Sequence, residues 1–193
     1  MNRTVLHSTR QWLVISVAAA LLAGCADEAP LAPDSEPAIE AQFASLADRN
    51  TDRASSNSDR AIVTLKRVTA RYHNIDAAIA DGFELLHPCE ERPGEGPVGA
   101  VYVHFGRLLD GIIDPATPDA LIYEPGPDRM NLVGVEFAIP YSLWTEAEPP
   151  SFMGATFQPE DEFGVWALHV WVWRKNPRGI FAESHPRVSC GAA

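Results

Sequence analysis

The sequence predicts an α+β fold, in which one or two N-terminal helices pack on an antiparallel sheet of four or five strands. Apolar residues recur at helical spacing between residues 59 and 83, whereas four later segments are rich in valine, isoleucine and aromatic residues. A short turn joins two of these segments. Helices that precede the strands, instead of alternating with them, are typical of the α+β class.

Two helices are predicted at the start of the folded part. The first has an apolar face that consists of Ile62, Leu65, Val68 and Tyr72. The second is short and begins after Asn74, whose side chain is a favourable N-cap, while Gly82 supplies the signal that ends it. Its apolar face consists of Ile75, Ala78, Ile79 and Phe83.

Four strands are predicted after the loop "HPCEERPGEGP", which is dense in proline and glycine. They are "VGAVYVHFG" (98–106), "ALIYEP" (120–125), "NLVGVEFAIP" (131–140) and "VWALHVWVW" (165–173). The connection between the second and the third strand is short, so these two are predicted to form a hairpin.

The folded domain is predicted to span residues 59–193. Residues 1–24 resemble a bacterial lipoprotein signal peptide, because a basic start and an apolar run lead to "LLAGC". Cys25 would then carry the lipid; the alternative is an ordinary secretory signal, with Cys25 as a bystander. Residues 25–58 are rich in Ala, Pro, Ser and acidic residues, and are predicted to be a lipidated flexible tether with one short helix over residues 37–47.

This leader predicts an exported protein that is lipid-anchored to the cell envelope. Ala26 follows the cysteine, which implies the outer membrane if the host is Gram-negative. The predicted partner is therefore the membrane, through the anchor, and no protein partner is indicated. Loss of Arg3 and Arg10 with the leader changes the formal charge from −11 to −13. Because this charge repels phosphate backbones, nucleic acid is excluded as a partner.

The remaining cysteines, Cys89 and Cys190, form an even pair. An oxidising compartment favours a disulfide between them, and the alternative is two buried free thiols. The bridge would close a loop of about 100 residues, for which chain entropy gives ~4–5 kcal/mol at best.

Three ionisable residues lie in the middle of apolar strands: His104, Glu136 and His169. If their strands present them to one side of the sheet, two imidazoles and a carboxylate converge. Such a trio suits a divalent transition metal as cofactor, with a position left for water. The same groups could instead act as general acid and base, or each could be a packed residue with satisfied hydrogen bonds.

Four further residues are candidates for the lining of a pocket. Tyr102 shares a strand face with His104, and Trp171 shares one with His169. Tyr123 and Glu124 end a strand before a proline and either line a pocket mouth or simply finish the hairpin. Motifs of serine hydrolases, P-loop enzymes and dinucleotide-binding proteins are absent from the sequence.

Several short motifs, "VYVHFG", "ALIYEP", "NLVGVEF" and "LHVWVW", occur between residues 67 and 190. In these motifs the chain resembles a family of secreted bacterial proteins, including lipoproteins, that carry His-Phe or His-Tyr, YEP, VEF or VEY, and HVWxW motifs. Gly106 stands where an asparagine is usual after the histidine-aromatic step. The resemblance implies no particular activity.

The function predicted from the sequence is that of a cell-envelope lipoprotein that binds a small ligand or a divalent metal in a sheet-lined pocket. One alternative is a metal-dependent or acid/base enzyme that uses the same trio. The other is a structural or interaction module without a catalytic site.

Overall fold

The computed structural model describes residues 36–92 and 96–191. The predicted signal peptide and Cys25 lie outside these residues. Within the described part, no helix has the combination of length and apolar character that crossing a bilayer requires.

The first helix, α1 (Glu36–Thr69), is 34 residues long. The sequence predicts a flexible tether with one short helix over residues 37–47, followed by a separate helix that includes Ile62. In the structure these two helices are one, without a break between them. No glycine or proline interrupts residues 38–69, so nothing in this stretch opposes the helical backbone. Side chains from Glu40 to Asn57 are exposed, and the buried face begins only with Ala61 and Leu65.

A 3-10 turn (Ala70–His73) leads to the short helix α2 (Ile75–Ala80). The Asn74 side chain accepts a hydrogen bond from the backbone N–H of Asp76 at 3.1 Å, as expected of the predicted N-cap. After α2 the backbone of Gly82 adopts φ +95°, which glycine permits at low cost, and the chain turns into the sheet.

The sheet has six strands, one or two more than the sequence predicts. They are β1 (Glu84–His87), β2 (Ala100–Val103), β3 (Ala120–Pro125), β4 (Met130–Pro140), β5 (Gln158–Glu160) and β6 (Val165–Val170). Their order is β1-β2-β3-β4-β6-β5, and every neighbouring pair is antiparallel. The predicted α+β class and the β3–β4 hairpin are therefore confirmed.

One face of the sheet forms the main core. Leu65 from α1 and Phe83, which follows α2, pack there in one cluster with Leu121, Val135 and Leu168 from the central strands. The opposite face is covered only in part, by helix α3 (Phe105–Leu108) and by the chain that follows β6.

The predicted disulfide between Cys89 and Cys190 is present, with a Cα–Cα distance of 5.1 Å. It ties the end of the chain to the loop after β1, across a separation of 101 residues. The last segment is held in place further by the backbone of His185, whose N–H donates to the carbonyl of Pro97 at 3.0 Å.

Candidate functional site

Glu136 and His169 meet on the partly covered face of the sheet. They are direct cross-strand neighbours in the β4–β6 ladder. The row that contains them continues through Ala120 on β3 to Val103 on β2, so the four side chains share one face. The His169 Nε2 atom lies 3.3 Å from Glu136 Oε2, and both side chains are largely buried.

His169 is held as an imidazolium. Its Nδ1 atom lies 2.7 Å from the carbonyl oxygen of Glu183, which can only accept, and its Nε2 faces the Glu136 carboxylate. Burial opposes the charge on the ring, but the hydrogen bond to Glu136 and the negative charge of that residue outweigh it, so the pKa of His169 is raised to about 9. The pair is therefore a buried ion pair at neutral pH.

His104 lies on the other side of the sheet. It follows Val103 directly, and Val103 belongs to the row of Glu136 and His169, so the alternation of a strand points the next side chain away. Strand β2 in fact ends at Val103, and His104 caps α3 by accepting a hydrogen bond from Arg107 N–H at Nδ1, over 3.3 Å. Its ring packs on Phe83 in the main core, with centroids 5.4 Å apart.

The structure therefore brings together two residues of the predicted metal centre, Glu136 and His169, and places His104 on the other side of the sheet. Residues 36–92 and 96–191 contain no group of three His, Cys, Asp or Glu side chains placed to hold a metal ion. The physical reason is the register of β2 against β3, which brings Val103 rather than His104 into line with the other two residues.

The four residues predicted to line a pocket also lie elsewhere. Tyr102 and Tyr123 pack edge to face on the core side, with centroids 5.3 Å apart, and Tyr123 is completely buried. The Glu124 carboxylate forms an ion pair with Arg174. Trp171 is buried and donates through Nε1 to a main-chain carbonyl at 2.6 Å.

The partly covered face does contain a cavity, of about 140 Å³. Its walls are mainly aliphatic and include Val101, Val103, Ala120, Ala138 and Val165. Three buried or nearly buried polar side chains lie among them: Asp119, Glu136 and His169. Aliphatic walls with a few convergent polar groups are typical of sites for small ligands.

Asp119 is the residue of this site that sequence reasoning missed. It is completely buried, and its Oδ2 atom accepts a hydrogen bond from Ala138 N–H at 2.9 Å. Its backbone N–H donates a hydrogen bond to the Glu136 carbonyl at 3.1 Å, and its own carbonyl accepts one from the His104 N–H at 2.8 Å. In the sequence Asp119 stands immediately before a strand, where an aspartate is usually a turn residue, so no local signal separates it from Asp114.

The second carboxyl oxygen of Asp119, Oδ1, is buried and has no hydrogen-bond partner among the described residues. The pKa of Asp119 is raised to about 7. Burial is the largest cause, and the nearby charges of Asp110 and Glu136 act in the same direction, whereas the hydrogen bond from Ala138 lowers the pKa. A carboxyl group that titrates near neutral pH inside a cavity can accept a hydrogen bond, or give up or take a proton, at the pH of most cells.

The mouth of the cavity combines apolar and charged side chains. Leu86, Phe105 and Phe163 are exposed there. His87 and Glu90 also line the cavity, with His87 Nε2 3.5 Å from Glu90 Oε2.

Comparison of the chain with protein-family models, with curated proteins and with solved structures finds no match.

Proposed function

We propose that this chain is an exported lipoprotein of the cell envelope whose domain binds a small ligand in the cavity beside Asp119. The observation that carries the ligand proposal is the buried Oδ1 atom of Asp119, which no described residue hydrogen-bonds. A buried acceptor without a partner costs about 1–3 kcal/mol, and a ligand donor would remove that cost.

The rest of the cavity supports the same proposal. The apolar walls contribute binding free energy in proportion to the apolar surface of the ligand that they cover. The Glu136–His169 pair and Asp119 fix the orientation of the ligand. A cavity of about 150 Å³ accommodates benzene, so the present 140 Å³ suits a ligand of about six non-hydrogen atoms.

The test fills the cavity and leaves the polar groups intact. Ala120 lines the cavity, so Ala120→Leu should abolish the binding of small alcohols, amines and carboxylic acids to the purified full-length protein. Ala116→Leu, at an exposed turn position, makes the same change outside the cavity and should leave binding unchanged. Binding is followed by NMR shifts of residues such as Val103; equal binding to both variants would contradict the proposal.

The envelope part of the proposal rests on the leader and Cys25, with the disulfide in agreement, because cysteine pairs are oxidised mainly outside the cytosol. Intact mass of the protein from its native membrane should show a diacylglyceryl modification on a chain that begins at Cys25. The Cys25→Ala variant should lose both this mass and membrane association. An unmodified Cys25 in the native protein would overturn the anchor.

A second candidate function is acid/base catalysis. The observation that favours it is Asp119, whose pKa of about 7 allows both protonation states near neutral pH in a partly enclosed cavity. A screen with simple ester and glycoside substrates would test it. An activity that has an inflection near pH 7 and is lost in Asp119→Asn is expected of this function, and no turnover by either protein would reject it for these reactions.

A further inference from the structure

We infer that the ligand of this cavity is a small organic amine, bound as its ammonium ion against Asp119 Oδ1. The inference rests on the proposed function, because it assigns a chemical class to the ligand of the same cavity. Four observations support it: the position of Asp119, the charges of the other lining residues, the orientation of Arg107, and the size of the cavity.

The charges that line the cavity favour a cation. Four carboxyl groups line it, those of Glu90, Asp119, Glu136 and Glu160, and the only basic groups among the described lining residues are two imidazoles. Each imidazole already faces a carboxyl group, at 3.5 Å for His87 and at 3.3 Å for His169. An anionic ligand placed against Asp119 would meet its carboxyl group and the nearby charges of Asp110 and Glu136, with no lysine or arginine in the described lining to balance them.

Arg107 is the arginine whose charge acts on Asp119, and it is directed elsewhere. Its Nη1 atom donates to the carbonyl of Pro118 at 2.9 Å. The guanidinium lies over the ring of Phe83, 4.9 Å from the ring centre, on the core side of the sheet. Asp119 therefore has no ion pair to a basic side chain within the described residues, and Asp110 and Glu136 add further negative charge.

An ammonium group complements Asp119 better than a neutral donor does. An ionised carboxylate is an acceptor only, and a charge-assisted N–H bond to it is about twice as strong as a neutral one. Ammonium binding also offsets the desolvation of the carboxylate, which is what makes its ionisation unfavourable. The aliphatic walls then cover the hydrocarbon part of the ligand, and the volume limits that part to about a five-carbon body.

The inference requires Asp119 to be ionised when the amine binds. Alkylamines remain protonated below about pH 9, as lysine does. The pKa of about 7 for Asp119 means that its ionised fraction, and with it the affinity for an ammonium ion, should fall about tenfold from pH 8 to pH 6. The charged groups that act on Asp119 are Asp110, Glu136 and Arg107, and His87, Glu90, Glu160 and His169 line the same cavity.

The experiment compares three probes that have the same number of non-hydrogen atoms and different charge: cyclopentylammonium, cyclopentanol and cyclopropanecarboxylate. Dissociation constants for the purified full-length protein are measured by calorimetry or NMR at pH 6, 7 and 8. Cyclopentylammonium should bind at least tenfold more tightly than cyclopentanol at pH 8, and should weaken about tenfold by pH 6. The affinity for cyclopentanol should change little with pH.

Two variants with the same charge change form the matched pair. Asp119→Asn keeps an oxygen that can accept from Ala138 N–H, removes the charge, and should reduce the preference for the ammonium probe at least tenfold. Asp110→Asn removes an exposed carboxylate that does not line the cavity, and should change that preference less than threefold. If Asp119→Asn does not fold, the pH series on the unaltered protein tests the inference alone.

The outcomes separate the inference from the proposed function. Equal or tighter binding of cyclopentanol or cyclopropanecarboxylate at pH 8 would overturn the amine class and leave a small-ligand site in place. An ammonium preference that survives in Asp119→Asn would overturn the assignment to Asp119. Absence of binding by all three probes would reject both the inference and a small-ligand site of this size.

Discussion

Replacement of Glu136 by glutamine should remove most of the pH dependence of stability above neutral pH. Glutamine is close in shape to glutamate but has no charge. His169 would then keep only the weaker influences of the charge and the carbonyl of Glu183, and burial would favour its neutral form. The variant therefore tests directly whether Glu136 holds His169 as an imidazolium.

The magnitude follows from the pKa of His169, which is about 9 in the folded chain and 6.5 for an ordinary histidine. A group with a raised pKa stabilises the fold fully below its unfolded pKa, and this contribution is lost as the pH rises through the folded pKa. From about pH 7.5 to about pH 9.5, proton linkage gives a loss of about 2 kcal/mol in the free energy of unfolding. Asp119, with a pKa of about 7, is mostly ionised throughout this window and therefore adds little to the change in the free energy of unfolding.

The assay is urea unfolding of the full-length protein and of Glu136→Gln at several pH values across this window. The free energy of unfolding should fall by about 2 kcal/mol for the unaltered protein and by much less for the variant. When one profile is subtracted from the other, the contributions of groups that titrate in the same way in both proteins cancel. Parallel profiles would show that Glu136 does not hold the charge of His169, and an NMR titration of the His169 ring would give the same answer independently.

Three further changes test other parts of the structure. Removal of the disulfide in the double variant Cys89→Ala, Cys190→Ala should lower the free energy of unfolding by about 2–5 kcal/mol in denaturant titrations, whereas an unchanged midpoint would contradict a stabilising bridge. His104→Ala removes the cap of α3 and should cost about 1 kcal/mol while leaving amine binding and the titration of the site imidazole unchanged; a loss of binding would place this histidine in the site after all. Tyr123→Phe loses a buried hydrogen bond of 2.7 Å to a main-chain carbonyl and should cost about 1–2 kcal/mol in thermal or urea unfolding. Tyr141→Phe, which loses a hydrogen bond at the surface, is the control and should cost clearly less.

The candidate site shows where sequence reasoning succeeds and where it stops. Alternation correctly places Tyr102 of β2 and His104, which follows the last residue of that strand, on the same side of the sheet. The faces of different strands are related only through the register of the ladders, and a shift of one residue exchanges the two faces. The register aligns Val103 with Ala120 and Glu136, so Glu136 and His169 meet as predicted while His104 does not.

Helix α1 illustrates a different limit. The sequence prediction used apolar periodicity, which detects a helix by the face that it buries. Residues 40–57 bury no side chain, so this signal is missing there although the backbone is helical. The short strands β1 and β5 were missed because three or four residues carry too little periodicity to be separated from a loop.

The sequence by itself determined the features that depend on neighbours along the chain or on composition. These are the α+β class, the β3–β4 hairpin, the N-cap at Asn74, and the pairing of Cys89 with Cys190. Each of these features depends on residues that are close in the sequence or on the number of residues of one type. Tertiary structure alone decided which charged side chains share a face and which are buried. Asp119 became a site residue because the fold buries its Oδ1 atom beside a cavity, where no described residue forms a hydrogen bond with it. Burial, unlike residue type, depends on the whole fold.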